Sequence, residues 1–579
     1  MIKKLFPAVR GYEKQTVGAS LMIIIEGVLE ILIPYLMTKL IKQGIEVENP
    51  NLSAILTYGG LMILMAIFAL LAGALCARLA AVAGTGFAAN LRNMLFRKVQ
   101  DFSFANIDKF SSASIVTRLT TDVTNIQNLF TILIRMTVRN FIIMITAFFF
   151  AVAVNAKLAI VFAVAIPLLA AILLFIMVKA HPMFEKMLQK LDLMNARVQE
   201  NLIAIRVVKA FVKGDDENVT FEDSAVALRK AQLAAERIVI WNNPLSQLIF
   251  YSAIIAVCFF GGKLIVAGEM GIGDLTGFLA YIGQILSSVM MLSMVFISFI
   301  ITRASQKRIV EILDEKIDIN DDDADPGLSV ENGSVEFRNV DFSYSKNPDN
   351  LTLANVNFSV RSGETIGIIG GTGSAKTTLV QLIPRLYEVL GGSVLVGGHD
   401  VREYKLHTLR DKVAMVLQTN LLFSGTIEEN LRWGNEDATQ EQIEAACRAA
   451  CAHDFIMSFP AGYKTDLGQG GVNVSGGQKQ RLCIARALLK DPKVVILDDS
   501  TSACDTATDA AIRKALRTEL SGTTTFIIAQ RIASVMDADR VMVLDDGKLV
   551  AFDTPARLLE TNEIYREVYE SQMKGGEEA

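Results

Sequence analysis

The stretch ETIGIIGGTGSAKTTLVQLI, residues 364–383, decides the fold of the C-terminal half of the chain. Its apolar beginning predicts a strand, which passes through a glycine-rich turn into a helix. The residues that match the phosphate-binding pattern G-x-x-x-x-G-K-[ST] are Gly370, Gly373, Lys376 and Thr377. Glycines at such a turn let backbone N–H groups approach phosphate oxygens, and the helix N-terminus adds positive potential. The stretch therefore predicts a P-loop in an α/β domain.

Each part of this loop has an expected role in binding nucleotide. Lys376 would hold the β- and γ-phosphates, and the Thr377 hydroxyl would ligate Mg²⁺. The residues expected to bind nucleotide are Gly370, Gly371, Thr372, Gly373, Ser374, Ala375, Lys376, Thr377 and Thr378. Ala375 stands where the pattern has glycine. If that position needs a positive φ, alanine costs about 1–2 kcal/mol.

Two further segments of this half also carry phosphate chemistry. VVILDDS, residues 494–500, is a continuous apolar run typical of a buried parallel strand, and it ends in carboxylates. Its Asp498 is placed to associate with magnesium. In VSGGQKQRLCIARALL, residues 474–489, Ser475 and two glycines precede an amphipathic helix and offer a second phosphate cradle. Two half-sites in one domain predict ATP held between two such domains.

The N-terminal half of the chain has a different composition. The chain has 579 residues, a mean hydropathy of +0.38 and 20% charged residues. Six apolar runs can each span a bilayer at about 20 residues per 30 Å; they lie at residues 18–41, 53–77, 136–156, 158–178, 244–266 and 275–301. We therefore predict a multi-domain chain: an all-α six-helix transmembrane domain in residues 1–316, an acidic linker in 317–333 and an α/β P-loop ATPase domain in 334–579.

Charge sets the expected orientation and excludes one class of partner. The loop segments 78–135 and 179–240 are long and rich in Lys and Arg, which places them and both termini in the cytoplasm. Their helical pattern predicts that spans two to five continue well beyond the bilayer. We expect a multi-pass protein of the cell membrane, in contact with lipid. With 56 basic and 61 acidic residues the net charge is −5, which argues against a nucleic-acid partner.

The order of these motifs resembles the ABC transporter family, in the form of a half-transporter of the exporter type. The resemblance covers essentially the whole chain. The residues that match its ATP-site motifs are Tyr344 for the adenine-stacking loop, Gly370–Thr378 for the P-loop, Gln418 for the magnesium-sensing loop, Ser475, Gly476, Gly477 and Gln478 for the signature, Asp498 for Walker B, and Ser502–Asp505 for the D-loop. The resemblance implies ATP and Mg²⁺ as cofactors, with Thr377, Gln418 and Asp498 around the metal.

The resemblance also assigns two cytoplasmic loops. Residues 112–123 and 204–216 are similar to the loops that carry coupling helices in this family. Such helices are expected to dock on the nucleotide-binding domains and to transmit their closure to the membrane spans as a rigid-body movement.

The sequence departs from the hydrolytic pattern of the family at three positions. Asp499 follows Asp498 where active members have a glutamate that acts as general base. Gln530 stands at the switch-loop histidine, and Gln469 stands where the family often has glutamate. The catalytic set by resemblance is therefore Asp499, Gln530 and Gln418, two of them altered. Because the signature is intact, we expect a second, non-identical half-transporter as partner; the alternative is a homodimer with conservative replacements.

The transported substrate is constrained only weakly. Glu26 and Glu30 lie four residues apart in the first span, where charge is costly and suggests a function. Either they line the cavity and attract cationic amphiphiles, or they pair with Arg or Lys or face the outer mouth. A small amphiphilic substrate is the family default. The alternatives are a dedicated exporter of a lipid, peptide or thiol compound, and a nucleotide-gated regulatory subunit that does not pump.

Overall fold

The computed structural model describes residues 2–499, 505–519 and 522–574. Contacts within the chain divide it into two compact units. The first consists of the residues up to Gln100 together with Ser111–Glu315, and the second consists of Asp101–Phe110 together with the chain from Lys316 onward.

The first unit contains six helices that are long and apolar enough to cross a membrane. They are Glu13–Ile45, Leu52–Gln100, Ser112–Val154, Ala156–Ile203, Gly214–Val266 and Ile272–Asp314. Short helices at Ile2–Leu5, Phe6–Val9 and Ile205–Ala210 accompany them. The second to fifth spans have 43 to 53 residues, more than the ~20 that a bilayer needs. The prediction of six spans with long extensions is therefore confirmed.

Packing in the first unit relies on small residues and stacked rings. Phe162 and Phe278 stack with ring centroids 5.7 Å apart and are almost fully buried. Ala147 and Ala151 of the third span are also fully buried. Many other apolar side chains on these helices are exposed, as expected of surfaces whose solvent is lipid rather than water.

The second unit is built on two sheets. Its strands are β1 Val335–Phe342, β2 Leu353–Val360, β3 Thr365–Gly370, β4 Gly391–Val396, β5 His399–Asp400, β6 Val413–Val416, β7 Val494–Asp498, β8 Thr524–Ile528, β9 Arg540–Asp545 and β10 Lys548–Asp553. One sheet has the order β2-β1-β4-β5, and the other has the order β10-β9-β3-β8-β7-β6. In the larger sheet, all pairs except β9–β10 are parallel.

Helices cover these sheets, and the direction of the strands determines which edge is open to a ligand. The helices are Lys376–Gln381, Leu406–Lys412, Ile427–Arg432, Gln440–Ala449, His453–Met457, Gly476–Leu488, Thr506–Glu519, Pro555–Thr561 and Glu563–Lys574. Since β3, β7 and β8 run parallel, their C-terminal ends meet at one edge, where ligands bind in open α/β sheets. The α/β class predicted for this half is therefore confirmed.

One short helix from the long loop segment 78–135 is part of the nucleotide unit. The helix Phe104–Phe110 belongs to the second unit. Tyr387 donates a hydrogen bond of 2.7 Å to Asp108, and the Phe104 and Tyr387 rings meet edge to face at 5.9 Å. Residues 112–123, the segment expected to carry a coupling helix, lie at the start of the third long helix, which begins at Ser112. Their docking on a nucleotide-binding domain stays a prediction.

The acidic segment 317–333 is part of the second unit and packs against its other elements. The Asp325 N–H donates to the Glu403 carbonyl at 2.8 Å, and the Asp321 carboxylate accepts from the Leu406 N–H at 2.8 Å. Lys346 forms an ion pair of 2.9 Å with Asp318. Carboxylates of the acidic segment thus bind specific partners, which its composition alone did not indicate.

Candidate nucleotide site

A cavity of about 650 Å³ lies at the edge where β3 and β7 end. The predicted residues that line it are Tyr344, Gly370, Gly371, Thr372, Gly373, Ser374, Ala375, Lys376, Thr377, Thr378, Gln418, Asp498, Asp499 and Gln530. The fold thus brings together almost every residue that the sequence assigned to ATP. The exceptions are Ser475 to Gln478, which do not line this cavity in the described part of the chain.

The glycines of the loop form a cradle that has room for phosphate. A Cβ at Gly370 would lie 2.1 Å from the Leu544 carbonyl oxygen, so no side chain fits there. At Gly371 and Gly373 a Cβ would meet nothing within 4 Å, and Gly373 has φ of +85°. Bare backbone N–H groups beside open space fit the phosphates of a nucleotide.

Ala375 adopts a left-handed backbone conformation. Its φ is +68° and its ψ is +26°, at the position where the helix Lys376–Gln381 begins. Position 375 thus needs a positive φ, and the cost predicted for alanine there follows. Left-handed geometry disfavours any residue with a Cβ by about 1–2 kcal/mol.

Replacing this alanine should relieve the strain. We expect Ala375→Gly to release about 1 kcal/mol of strain, because glycine adopts positive φ at no steric cost. The gain should appear as tighter Mg–ATP binding, as a higher unfolding free energy of the chain, or as a share of each. Calorimetric titration measures the binding free energy, and thermal unfolding of the purified chain measures its stability. A loss in both measurements for Ala375→Gly would contradict the strain.

The Lys376 ammonium lies across the mouth of the loop. It donates hydrogen bonds to the carbonyls of Gly370 at 2.9 Å and Gly371 at 2.7 Å. Burial lowers the pKa of Lys376, and the carboxylates of Asp498 and Asp499 oppose that shift. The charge is thus placed where β- and γ-phosphates would meet it.

Oxygen ligands suited to magnesium converge beside the lysine. The Thr377 hydroxyl donates to Asp498 Oδ1 at 2.9 Å, and Gln418 lines the same cavity. Asp498 is 2% exposed; this burial raises the pKa of its carboxyl, while the Thr377 hydrogen bond opposes the shift. Carboxylate, hydroxyl and amide oxygens are the ligands that Mg²⁺ prefers. When bound, the ion would neutralise phosphate charge at these oxygens.

Tyr344 follows β1 and contacts the end of the P-loop segment at Thr378. Its hydroxyl shares a hydrogen bond of 2.9 Å with Thr378 Oγ1. Its ring meets Phe342 and Tyr387 edge to face, with centroids 4.9 Å and 5.2 Å away. The side chain remains half exposed, which leaves a ring face available for an adenine base.

The two altered catalytic positions bind each other. Gln530 Nε2 donates a hydrogen bond of 2.9 Å to Asp499 Oδ2. Asp499 also has φ of +50°, and its N–H donates to the Ile528 carbonyl at 3.1 Å. The sequence singled out both residues, but it gave no signal of their contact or of the left-handed backbone.

The signature residues form a helix cap. Ser475 Oγ accepts from the Gln478 N–H at 3.3 Å, and the Gln478 side chain accepts from the Ser475 N–H at 2.8 Å, before the helix Gly476–Leu488. Gln469 lies exposed in the preceding loop. In the D-loop motif, Ser502 to Cys504 lie outside the described residues.

The two glutamates of the first span lie in a separate cavity of about 620 Å³ within the membrane unit. Arg139 contacts Glu30 at 2.7 Å and Glu26 at 3.8 Å, and Arg135 lines the same cavity. Gly73 makes room for them, since a Cβ there would lie 2.8 Å from Glu26 Oε2. The structure thus has the ion pairing that was one of the two alternatives. The two arginines were not predicted to pair with the glutamates, although their spacing of four is visible in the sequence.

This ion pair should contribute to the stability of the membrane unit. We expect Arg139→Gln to lower the unfolding free energy by about 1–3 kcal/mol, because it removes the ion-pair partner of two neighbouring carboxylates and leaves only Arg135 in the described part of the same cavity. The exchange Glu30→Arg with Arg139→Glu should recover part of that loss. Thermal unfolding in lipid nanodiscs measures both; an unchanged melting temperature for Arg139→Gln would show that the pair is dispensable.

Six membrane helices fused to a P-loop ATPase unit define an ATP-driven membrane exporter half. The family described as the ABC transporter transmembrane region matches residues 18–306, and the ABC transporter family matches residues 353–502. The chain belongs to the ABC transporter family. It is an exporter-type half-transporter that binds ATP and couples ATP hydrolysis to transport; such exporters work as dimers in the lipid bilayer.

Similar proteins cover nearly the whole chain. The uncharacterized ABC transporter ATP-binding protein YfiB of Bacillus subtilis (strain 168) is 36% identical over 96% of both chains. An ATP-dependent lipid A-core flippase of Syntrophus aciditrophicus (strain SB) is 31% identical over 85% of this chain and 81% of its own. The structure of a bacterial Atm1-family ABC exporter with ATP bound superposes with a TM-score of 0.85 at 25% identity, covering 97% of this chain and 99% of that one.

Proposed function

We propose that this chain is the degenerate-site half of a heterodimeric ABC exporter. The observation that carries the proposal is the hydrogen bond of 2.9 Å between Gln530 and Asp499. It joins the two residues that replace the hydrolytic glutamate and histidine of the family. The ATP held by Lys376, Thr377 and Asp498 would then serve mainly to clamp the two nucleotide domains together.

The geometry explains why hydrolysis at this site would be slow. Aspartate is one methylene shorter than glutamate, so its carboxylate lies roughly 1–1.5 Å further from an attacking water, and such displacement costs about 10²-fold in rate. One Asp499 oxygen is engaged by the Gln530 amide. Gln530 itself carries no positive charge, and its amide stabilises charge on the γ-phosphate less than an imidazolium would.

The signature supports a division of labour between two chains. Ser475 and Gln478 form a complete helix cap, and they lie outside the cavity that contains Lys376. In a sandwich of two nucleotide domains, the Ser475 hydroxyl and the following N–H groups would face the nucleotide of the partner. That partner is expected to supply the glutamate and histidine which this chain lacks.

A homodimeric lipid exporter is the second candidate. It is favoured by the relative in Syntrophus aciditrophicus whose name is ATP-dependent lipid A-core flippase. In a homodimer, every ATP would meet the same Asp499 and Gln530, so both sites would be equally slow or equally competent. The two candidates therefore differ in the activity of the chain by itself.

The membrane setting and the cargo belong to the same proposal. We place the protein in the cell membrane with both termini in the cytoplasm, because the long basic loops belong on that side. The cargo is a small amphiphile. The carboxylates of Glu26 and Glu30 face Arg139, which offsets their charge, so selection of cations by these glutamates has little support.

The experiment compares the chain alone with its native complex. Purified alone in nanodiscs with Mg–ATP, the chain should hydrolyse ATP at least about ten-fold more slowly than the complex isolated by a tag on this chain. Lys376→Ala in the lone chain gives the background. Brisk hydrolysis by the lone chain, together with transport in vesicles, would support the homodimer and refute the heterodimer.

A further inference from the structure

A glutamine of the C-terminal helix bridges both ends of the switch loop. Gln572 lies in the helix Glu563–Lys574 and lines the nucleotide cavity. Its Nε2 donates a hydrogen bond of 2.9 Å to the Gln530 carbonyl, and its Oε1 accepts one of 2.7 Å from the Ile532 N–H. One side chain thus fixes the backbone on both sides of Arg531.

The chemistry of this bridge suits an amide. An amide side chain carries a donor and an acceptor on the same carbon, whereas an ionised carboxylate only accepts and an ammonium only donates. Ile532 opens the short 3₁₀ helix Ile532–Ser534, so its N–H has no partner within that helix. Gln572 therefore accepts from the free N–H at the start of this helix and at the same time holds the backbone of Gln530, whose side chain lines the nucleotide cavity.

The helix that carries Gln572 is firmly anchored. Tyr565 is fully buried, and Val568 and Tyr569 pack against the core of the nucleotide unit. The Tyr565 N–H also bonds to Asn562 Oδ1 at 2.8 Å. These contacts hold the helix against the nucleotide unit, so Gln572 reaches the loop from a packed helix.

We propose that Gln572 is a positioning residue that sets the switch loop so that the Gln530 side chain meets the γ-phosphate. The C-terminal helix thereby contributes to the preference of this site for ATP over ADP, which lacks that phosphate. The inference rests on the role proposed above for Gln530. It concerns nucleotide binding, so it does not depend on which chain is the partner.

The test measures Mg–ATP and Mg–ADP binding to the full-length chain in nanodiscs by calorimetry. Gln572→Ala should weaken ATP binding about five- to ten-fold, the range of one or two lost hydrogen bonds, and change ADP binding by less than about two-fold. Gln572→Glu, which keeps the acceptor for Ile532 and removes the donor for Gln530, should weaken ATP in the same direction. Ser571→Ala, on the same exposed stretch of helix, is the control.

A double-mutant comparison separates positioning from mere stability. In a Gln530→Ala background the loop backbone remains but the side chain is gone, so Gln572→Ala should cause no further loss of ATP affinity. Equal losses for ATP and ADP, or additive losses in the double variant, would overturn the inference. An unchanged ATP preference in Gln530→Ala would overturn it together with the role of Gln530, whereas fast hydrolysis by the lone chain would overturn only the heterodimer.

Discussion

Ser475→Ala in the native complex should reduce ATP hydrolysis by about 10²–10³-fold, the loss typical of removing one donor from a charged transition state. The reason is that the Ser475 hydroxyl would meet the γ-phosphate in the one site that hydrolyses briskly. Asp499→Asn in this chain should change the rate of the same complex by less than about three-fold, because the site that it touches is already slow. Steady-state phosphate release measures both variants.

The serine also caps a helix, so the control must remove a cap elsewhere. Thr439 forms the same capping box with Gln442 at the start of the helix Gln440–Ala449. Thr439→Ala should cost about 1 kcal/mol of stability, as Ser475→Ala does through its cap, but it should leave hydrolysis almost unchanged. If Thr439→Ala lowered the rate as much as Ser475→Ala, the effect would be one of folding rather than of chemistry.

Restoring the hydrolytic pair should have the opposite effect on the chain by itself. We expect Asp499→Glu combined with Gln530→His to raise ATP hydrolysis of the self-associated chain about 10²-fold, because the carboxylate then reaches the attacking water and an imidazole meets the phosphate. The intact Ser475 of a second copy would complete the site. Adding Ser475→Ala should abolish the gain. A gain of less than about three-fold in a preparation shown to be dimeric would contradict the proposal.

The backbone at Asp499 adds a cost that needs its own control. At φ of +50°, aspartate is tolerated better than glutamate, since its short side chain suits left-handed geometry. Asp546, in the turn between β9 and β10, has φ of +44° and lies outside the nucleotide cavity. Asp546→Glu therefore reports the strain alone, and any larger loss in melting temperature for Asp499→Glu reports the altered contact with Gln530.

Local patterns in the sequence were sufficient for the spans and the nucleotide motifs. Runs of about 20 apolar residues must cross a bilayer or be buried, so the six helices followed from length and composition. The strand before Gly370 and the strand that ends at Asp498 were visible as apolar runs beside turn residues. They lie at one edge because parallel strands present their C-terminal ends together.

Other features needed contacts between residues that are distant in the chain. The docking of Phe104 and Asp108 on Tyr387, the pairing of Arg139 with Glu30, and the bridge from Gln572 to Gln530 join segments separated by tens to hundreds of residues. No periodicity or spacing encodes such pairs, because each depends on which surfaces the folded backbone brings together. The docking of residues 112–123 on a nucleotide-binding domain stays a prediction, because it depends on such contacts.

The sequence by itself determined that six apolar spans are joined to a P-loop ATPase domain, since chemistry at a P-loop and hydrophobic length at a bilayer are properties of short, contiguous segments. The exporter type followed from the resemblance of its motifs to the ABC transporter family. Only the tertiary structure decided how Ala375 and Asp499 hold left-handed backbones and which side chains meet Asp499, Glu26 and the switch loop. These depend on packing around each residue, where energies of a few kcal/mol select one geometry from several that the local sequence allows.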